Sequence, residues 1–213
     1  MAASEPSGVA GVLLAAGDGS RLGQPKALVK LDGQSLASRG VALLSSGGTA
    51  PVIVVTGAAE LGLPGVITIH NPDWRSGMGS SFTVGLGAVP DGCQAAVVAL
   101  ADQPLVGPEA VRRLIAAYRG GASVAVASYA GKPRNPVLIA REHWAEAARL
   151  AAGDVGARPF LRAHPELITL VECADTGRPD DIDTAEDLDR IRRLMTGTPA
   201  PPSDGSRPRP ARG

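Results

Sequence analysis

The chain of 213 residues is poor in aromatic side chains, with two Trp, two Tyr and two Phe, 3% in all. Val, Leu, Ile and Ala must therefore fill its core. It also lacks net charge, since 21 basic side chains balance 21 acidic ones. That removes any bulk electrostatic reason to expect nucleic acid or an anionic membrane as partner. Its two cysteines, Cys93 and Cys173, stand far apart and form no metal-ligand pair. They are expected to be buried small hydrophobes rather than a disulfide. His70, His143 and His164 are scattered and make no metal-spaced pair. No apolar segment approaches the roughly 20 residues that span a bilayer. The first residues, MAASEPSG, lack the basic region and long apolar run of a secretory signal. The expected compartment is the cytoplasm.

What is present is an ordinary globular composition, 44% apolar, long enough for one domain with a substantial core. VAGVLLAA (9–16), PVIVVTG (51–57), GVITIH (65–70), AAVVAL (95–100) and SVAVAS (123–128) are almost continuously apolar. Strands buried on both faces of a mainly parallel sheet read this way. Helical patterns lie between them over 35–46 and over 108–119, the second with Pro108 near its first turn. NPVLIA (135–140) and LITLVE (167–172) are further strand candidates. REHWAEAARLAA (141–152) and residues 184–195 read as helices. The alternation predicts a three-layer α/β fold with ligands at the carboxyl ends of the strands. After Gly197 the chain turns to TPAPPSDGSRPRPARG, which is too poor in apolar residues to order itself. The expected organisation is one domain over 1–196 and a disordered Pro/Arg-rich tail over 197–213.

The stretch VLLAAGDGSRLGQPKAL, Val12 to Leu28, is the one most suited to a ligand. It does not fit a dinucleotide fingerprint: Gly17 and Gly19 are in place, but the third position is Leu22 and Gly23 comes one residue late. It does not fit a Walker loop either, because Gly23 is followed by Gln24-Pro25-Lys26-Ala27. Its parts still suit phosphate. Glycines let the backbone approach phosphate oxygens, Arg21 and Lys26 add positive charge, and Pro25 stiffens the approach to Lys26. These residues alone leave open a solvated strand-to-helix turn whose cations face water.

LAAGDGSRLGQPK resembles the LAAGxSxRxGxxK signature of the MobA-like NTP transferases. HNPDWRSGMGSSFTVGL (70–86) resembles that family's segment contacting base and ribose, and LADQP (100–104) its metal-binding strand end. GDVGAR (153–158) and DIDTAEDL (181–188) resemble the molybdenum cofactor cytidylyltransferase branch. The match runs from Val9 to about Met195. It implies a Rossmann-like, GT-A-like nucleotidyltransferase fold of three layers around a mostly parallel mixed sheet.

The resemblance implies nucleotidyl transfer, in which an acceptor phosphate joins the α-phosphorus of an NTP and pyrophosphate leaves. Such chemistry rests on positioning and charge neutralisation with a divalent cation, here Mg²⁺. Asp102 would ligate the metal, and Asp183 would be its second carboxylate, ahead of Asp181. Alternatively, Asp102 caps the helix after Pro104, and Asp183 or Thr184 caps the last helix with Glu186 or Asp187. Lys26 and Arg21 would pair with the β- and γ-phosphates. Leu14, Ala15, Ala16 and Gly17 would meet the nucleotide, and the methyl of Ala16 would narrow the base site toward a pyrimidine. Asn71, Gly79, Ser80 and Ser81 would contact the nucleotide, unless GMGSSF is a plain Gly-rich helix start with a serine cap. Arg158 is a candidate phosphate or pterin contact, or else an ordinary loop arginine. Asn135 stands in Arg134-Asn135-Pro136 where the branch pattern has Gly-His-Pro. Asn can donate and accept hydrogen bonds but cannot protonate as His can.

The leading expectation is CMP transfer from CTP to molybdopterin cofactor, with a molybdenum hydroxylase apo-enzyme as a further candidate partner. One alternative keeps the chemistry with GTP or another acceptor. A second is an NAD(P)H-dependent reductase of the nicotine-blue type on the same scaffold. A third is a chaperone that binds cofactor without turnover.

Overall fold

The computed structural model describes residues 8–196, so the expected tail over 197–213 lies outside the described residues. In chain order the elements are β1 (Val9–Leu14), β2 (Lys30–Leu31), β3 (Gln34–Ser35), α1 (Leu36–Ser46), β4 (Val52–Thr56), β5 (Ile67–His70) and α2 (Met78–Gly87). They continue with β6 (Ala95–Leu100), α3 (Pro108–Arg119), β7 (Val124–Tyr129), β8 (Lys132–Ala140), α4 (Trp144–Leu150), α5 (Arg158–Ala163), β9 (Ile168–Glu172) and α6 (Ala185–Thr196).

Seven strands form one sheet in the order β5-β4-β1-β6-β8-β7-β9, and β2 and β3 make a small separate hairpin. All neighbours pair in parallel except β8, which runs antiparallel to both β6 and β7. This is the expected mostly parallel mixed sheet. From β1 the chain passes through α1 to β4 on one side, then returns to place β6 on the other. That reversal opens a crevice at the carboxyl ends of β1 and β6, where Leu14 and Leu100 lie in register.

Successive residues of a strand face opposite sides, and β1 follows that rule. Val9 and Leu13 enter the cluster roofed by Leu43 and Leu44 of α1 and Leu114 of α3. Ala10, Val12 and Leu14 enter the cluster under Phe82 of α2, Ala147 of α4 and Phe160 of α5. Phe82 and Phe160 are fully buried, which contributes about 2–3 kcal/mol each. Cys93 and Cys173 are both buried and free, on opposite faces of the sheet. Among the described residues no helix is long and apolar enough to cross a membrane.

One local expectation and two of the alternatives are corrected. GVITIH was expected to be buried on both faces, but β5 is the outermost strand of the described sheet and mostly exposed, because among the described residues only β4 pairs with it. The start of α2 has no serine cap. Gly77 holds the cap position, and the Gly79 N–H donates to Gly153 O at 2.8 Å. Only glycine fits at 77, where φ is 115° and a Cβ would meet Gly153 O at 2.3 Å. GDVGAR is not simply a loop, since its last residue, Arg158, begins α5.

Candidate active site

The loop after β1 is tied down on its outer side and open toward the crevice. Leu14 O accepts from Ala101 N–H at 3.1 Å, Ala15 N–H donates to Val55 O at 2.9 Å, and Ala16 O accepts from Ala58 N–H at 3.1 Å. The N–H groups of Ala16 and Gly17 make no hydrogen bond among the described residues. At Gly19 the backbone is left-handed, φ 59°, and a Cβ would lie 2.1 Å from Gln24 O. That tight turn folds the loop back until Lys26 N–H donates to Gly17 O at 3.3 Å. The Lys26 side chain is thereby directed to the end of β6.

Lys26 Nζ donates to Asp102 Oδ2 at 2.9 Å and also to Asp183 Oδ1. Burial works against its charge, but the two carboxylates outweigh burial and hold its pKa above that of an ordinary lysine. Asp102 stands two residues after the end of β6, and Gly107 rather than Asp102 occupies the cap of α3. Two contacts lock this strand end to the segment before α6. Ile182 N–H donates to Asp102 O at 2.9 Å, and Gln103 Nε2 donates to Asp181 Oδ1 at 2.8 Å. At α6 the capping is done by Thr184 and Asp187. Asp187 N–H donates to Thr184 Oγ1 at 3.2 Å, and Thr184 N–H donates back to Asp187 Oδ2 at 3.1 Å. The Asp183 carboxylate is thus released from capping and turns to Lys26.

This donor set fits a hard divalent cation. Asp102 Oδ1 is buried without a hydrogen-bond partner among the described residues, a costly state that a cation would relieve. Among the described residues no three of His, Cys, Asp and Glu gather to cage a metal by themselves. Phosphate oxygens and water would complete the shell, as is common for Mg²⁺. Asp181 is less suited, because burial pushes its carboxyl up and the charges of Asp102 and Asp183 push it further, against the Gln103 contact.

Two cavities meet at this edge. The smaller, about 510 Å³, is lined by Leu14, Ala15, Ala16, Gly17, Lys26 and Asp102, with Ser81 and Trp74 opposite. The larger, about 670 Å³, holds Asn135 and Arg158 together with Gln103, Arg134 and Arg162. Leu14, Met78 and Leu100 line both. Other candidates lie elsewhere. Arg21 is exposed on a short turn and lines neither cavity. Asn71 is 1% exposed, donating to Ser80 Oγ and Ser81 Oγ at 2.9 and 3.0 Å while accepting from Asp73 N–H. Ser80 is engaged by Asp73 O and Gly77 O, and a Cβ on Gly79 would meet Ala152 N at 2.8 Å. Asn71, Gly79 and Ser80 thus brace the wall from behind.

The model of the MobA-like NTP transferase domain matches residues 11–167. The chain belongs to this family. A nicotine blue oxidoreductase of Paenarthrobacter nicotinovorans is 38% identical over 196 residues, covering 86% of this chain and 96% of that protein. A molybdenum cofactor guanylyltransferase of Rhodobacter capsulatus is 31% identical over 201 residues, covering 87% and 97%. Among solved structures, a homologue of Mycobacterium tuberculosis Rv0371c from Mycobacterium sp. strain JC1 superposes with a TM-score of 0.79 at 30% identity, covering 91% and 99%. Rv0371c of Mycobacterium tuberculosis H37Rv in complex with manganese gives 0.72 at 26% identity, covering 87% and 98%. By family the protein is a nucleotidyltransferase.

In this MobA-like transferase several cavity residues escaped sequence reasoning. Trp74 and Arg75 line the smaller cavity, with the guanidinium 4.3 Å from the ring centroid, and Asp154 lines it as well. They sit inside quoted motifs, yet a lone Trp or Asp carries no spacing signal. Gln103 and Arg162 at the larger cavity were equally silent, and only the juxtaposition of β6, α5 and the segment before α6 brings them there.

Proposed function

We propose that the protein transfers CMP from CTP to the phosphate of molybdopterin and releases pyrophosphate, with Mg²⁺ as cofactor. The observation that carries this reading is the shared wall of Leu14, Met78 and Leu100 between a cavity holding Lys26 and Asp102 and one rimmed by arginines. A nucleotide in the first and an anionic acceptor in the second would meet across it.

The acceptor phosphate oxygen attacks the α-phosphorus, and the bond from that phosphorus to the β-bridging oxygen breaks as pyrophosphate departs. The open N–H groups of Ala16 and Gly17 meet the triphosphate or ribose. Lys26, fully protonated, moves from its carboxylates to the β- and γ-phosphates, where negative charge grows. Asp102 and Asp183 would hold Mg²⁺, which neutralises phosphate charge when bound. Arg158 and Asn135 orient the acceptor, and Arg21 reaches the triphosphate only if the loop closes. A molybdenum hydroxylase apo-enzyme is the proposed recipient of the product.

The Ala16 methyl at the cavity wall supports CTP, whereas the guanylyltransferase relative supports GTP as the competing donor. Incubation with Mg²⁺, molybdopterin and each of four NTPs, followed by mass detection of the dinucleotide, decides among them. Preference for GTP replaces the cytidylyl assignment, and absence of product with every NTP ends the transferase one. The 38% identical oxidoreductase favours a second reading, NAD(P)H-dependent reduction of a quinonoid acceptor. Metal-independent loss of NADPH absorbance with such acceptors would establish it.

A further inference from the structure

The wall of the larger cavity carries an amide whose two ends are unequal. Gln103 is 5% exposed. Its Nε2 donates to Asp181 Oδ1 at 2.8 Å, while its Oε1 is buried with no hydrogen-bond partner among the described residues. Asp181 Oδ1 takes the amide nitrogen, which leaves the carbonyl end of Gln103 turned away from that carboxylate. The main chain holds the residue in place as well, with Ile182 N–H on Asp102 O and Gln103 N–H on Leu100 O. A buried carbonyl oxygen left without a donor is unfavourable, and a ligand that supplies the donor removes that penalty.

The rest of the cavity describes the ligand. Val98, Val126 and Leu161 offer an apolar surface for a flat ring. Arg134, Arg158 and Arg162 line the same space, and none pairs with a carboxylate among the described residues. Unpaired guanidinium groups in a cavity suit a phosphate.

We propose that Gln103 is a specificity-determining residue of the acceptor site. Its Oε1 accepts a hydrogen bond from a ring N–H of a heterocyclic lactam that carries a phosphomonoester, and the arginines take the phosphate. The inference rests on the transferase reading only in treating the larger cavity as the acceptor site. Asp181 acts as a positioning residue that keeps the amide turned toward the ligand.

The test compares two flat bicyclic phosphomonoesters by calorimetric titration of the full chain. Hydroxymethylpterin phosphate carries ring N–H donors; naphthylmethyl phosphate carries none. The unsubstituted protein is expected to prefer the pterin by about 10-fold or more. Gln103→Met, equal in length and without an acceptor, should bring the two within about 2-fold while leaving the naphthyl affinity unchanged. Asp181→Asn should reduce the preference in part, because an amide partner no longer dictates the orientation of Gln103, and it serves as the second variant if the first misfolds. Arg158→Ala should weaken both probes equally. No preference in the unsubstituted protein, no binding of either probe, or full preference in Gln103→Met overturns the proposal. If the preference stands but no NTP is turned over, the transferase reading fails and this one survives. If turnover stands and the preference is absent, the reverse holds.

Discussion

Lys26 Nζ lies 2.9 Å from Asp102 Oδ2, a contact across 76 positions of sequence, and the same ammonium also holds Asp183. The carboxylates proposed for the metal are therefore neutralised by a lysine, and ammonium and cation compete for the same oxygens. On the proposed function, a bound triphosphate would resolve that competition by giving Lys26 another anion.

Replacing the lysine separates its two roles. Lys26→Met is expected to lower turnover by about 100-fold or more, through loss of charge at the leaving group. The same change frees both carboxylates, so Mn²⁺ binding without nucleotide should tighten by about 10-fold. Electron paramagnetic resonance titration reads the second effect. Unchanged or weaker Mn²⁺ binding would remove Asp102 and Asp183 as the metal's ligands.

The cap of α6 should be separable from the site. Thr184→Ala removes one half of the reciprocal Thr184–Asp187 contact and should cost about 1 kcal/mol of stability with turnover nearly unchanged. Asp183→Asn should do the opposite, since its side chain is 49% exposed and caps nothing. Paired denaturation curves and steady-state rates test this, and a Thr184→Ala enzyme with lost turnover would contradict it.

Ala16 lines the smaller cavity at 8% exposure. Ala16→Gly removes one methyl from the wall and should shift the NTP preference from CTP toward GTP by about 10-fold, the scale of one methyl group in a pocket. The ratio of kcat/KM for the two nucleotides is the measurement, and an unchanged ratio would show that the base is read elsewhere.

Glu172 supplies a pH dependence remote from the site. Its carboxylate accepts from Ser128 Oγ, and from the N–H groups of Gly131, Ala174 and Ala130, which hold its pKa down at about 2. A depressed folded-state pKa means that the stabilisation is complete above the unfolded value of about 4.3 and fades as pH falls toward the folded one. Glu172→Gln should therefore melt lower than the parent at about pH 7, with the deficit shrinking below about pH 4. A deficit that grows on acidification would reverse the sign of this assignment.

The sheet and most helices were legible because apolar runs and helical periodicity are local. AAVVAL and the helix from Pro108 match the observed bounds of β6 and α3. GVITIH misled because an apolar run does not say whether a strand has one neighbour or two. Asn71 and Ser80 have the chemistry of ligand contacts, yet their hydrogen bonds are spent on the turn before α2. Asp183 and Thr184 were equal candidates for the cap, and the reciprocal bonds of Thr184 with Asp187 resolved them.

By itself the sequence determined the class of fold, the position of the Gly-rich loop at a strand end and the identity of the charged groups, since each follows from periodicity or side-chain chemistry within a few residues. The tertiary structure alone decided that Lys26 is shared between Asp102 and Asp183, that Arg21 stands outside both cavities, and that Gln103 keeps one carbonyl oxygen unpaired among the described residues. Those facts depend on bringing β6, the loop after β1 and the segment before α6 together. Such long-range contacts are set by how the sheet is ordered and covered, which no local pattern encodes.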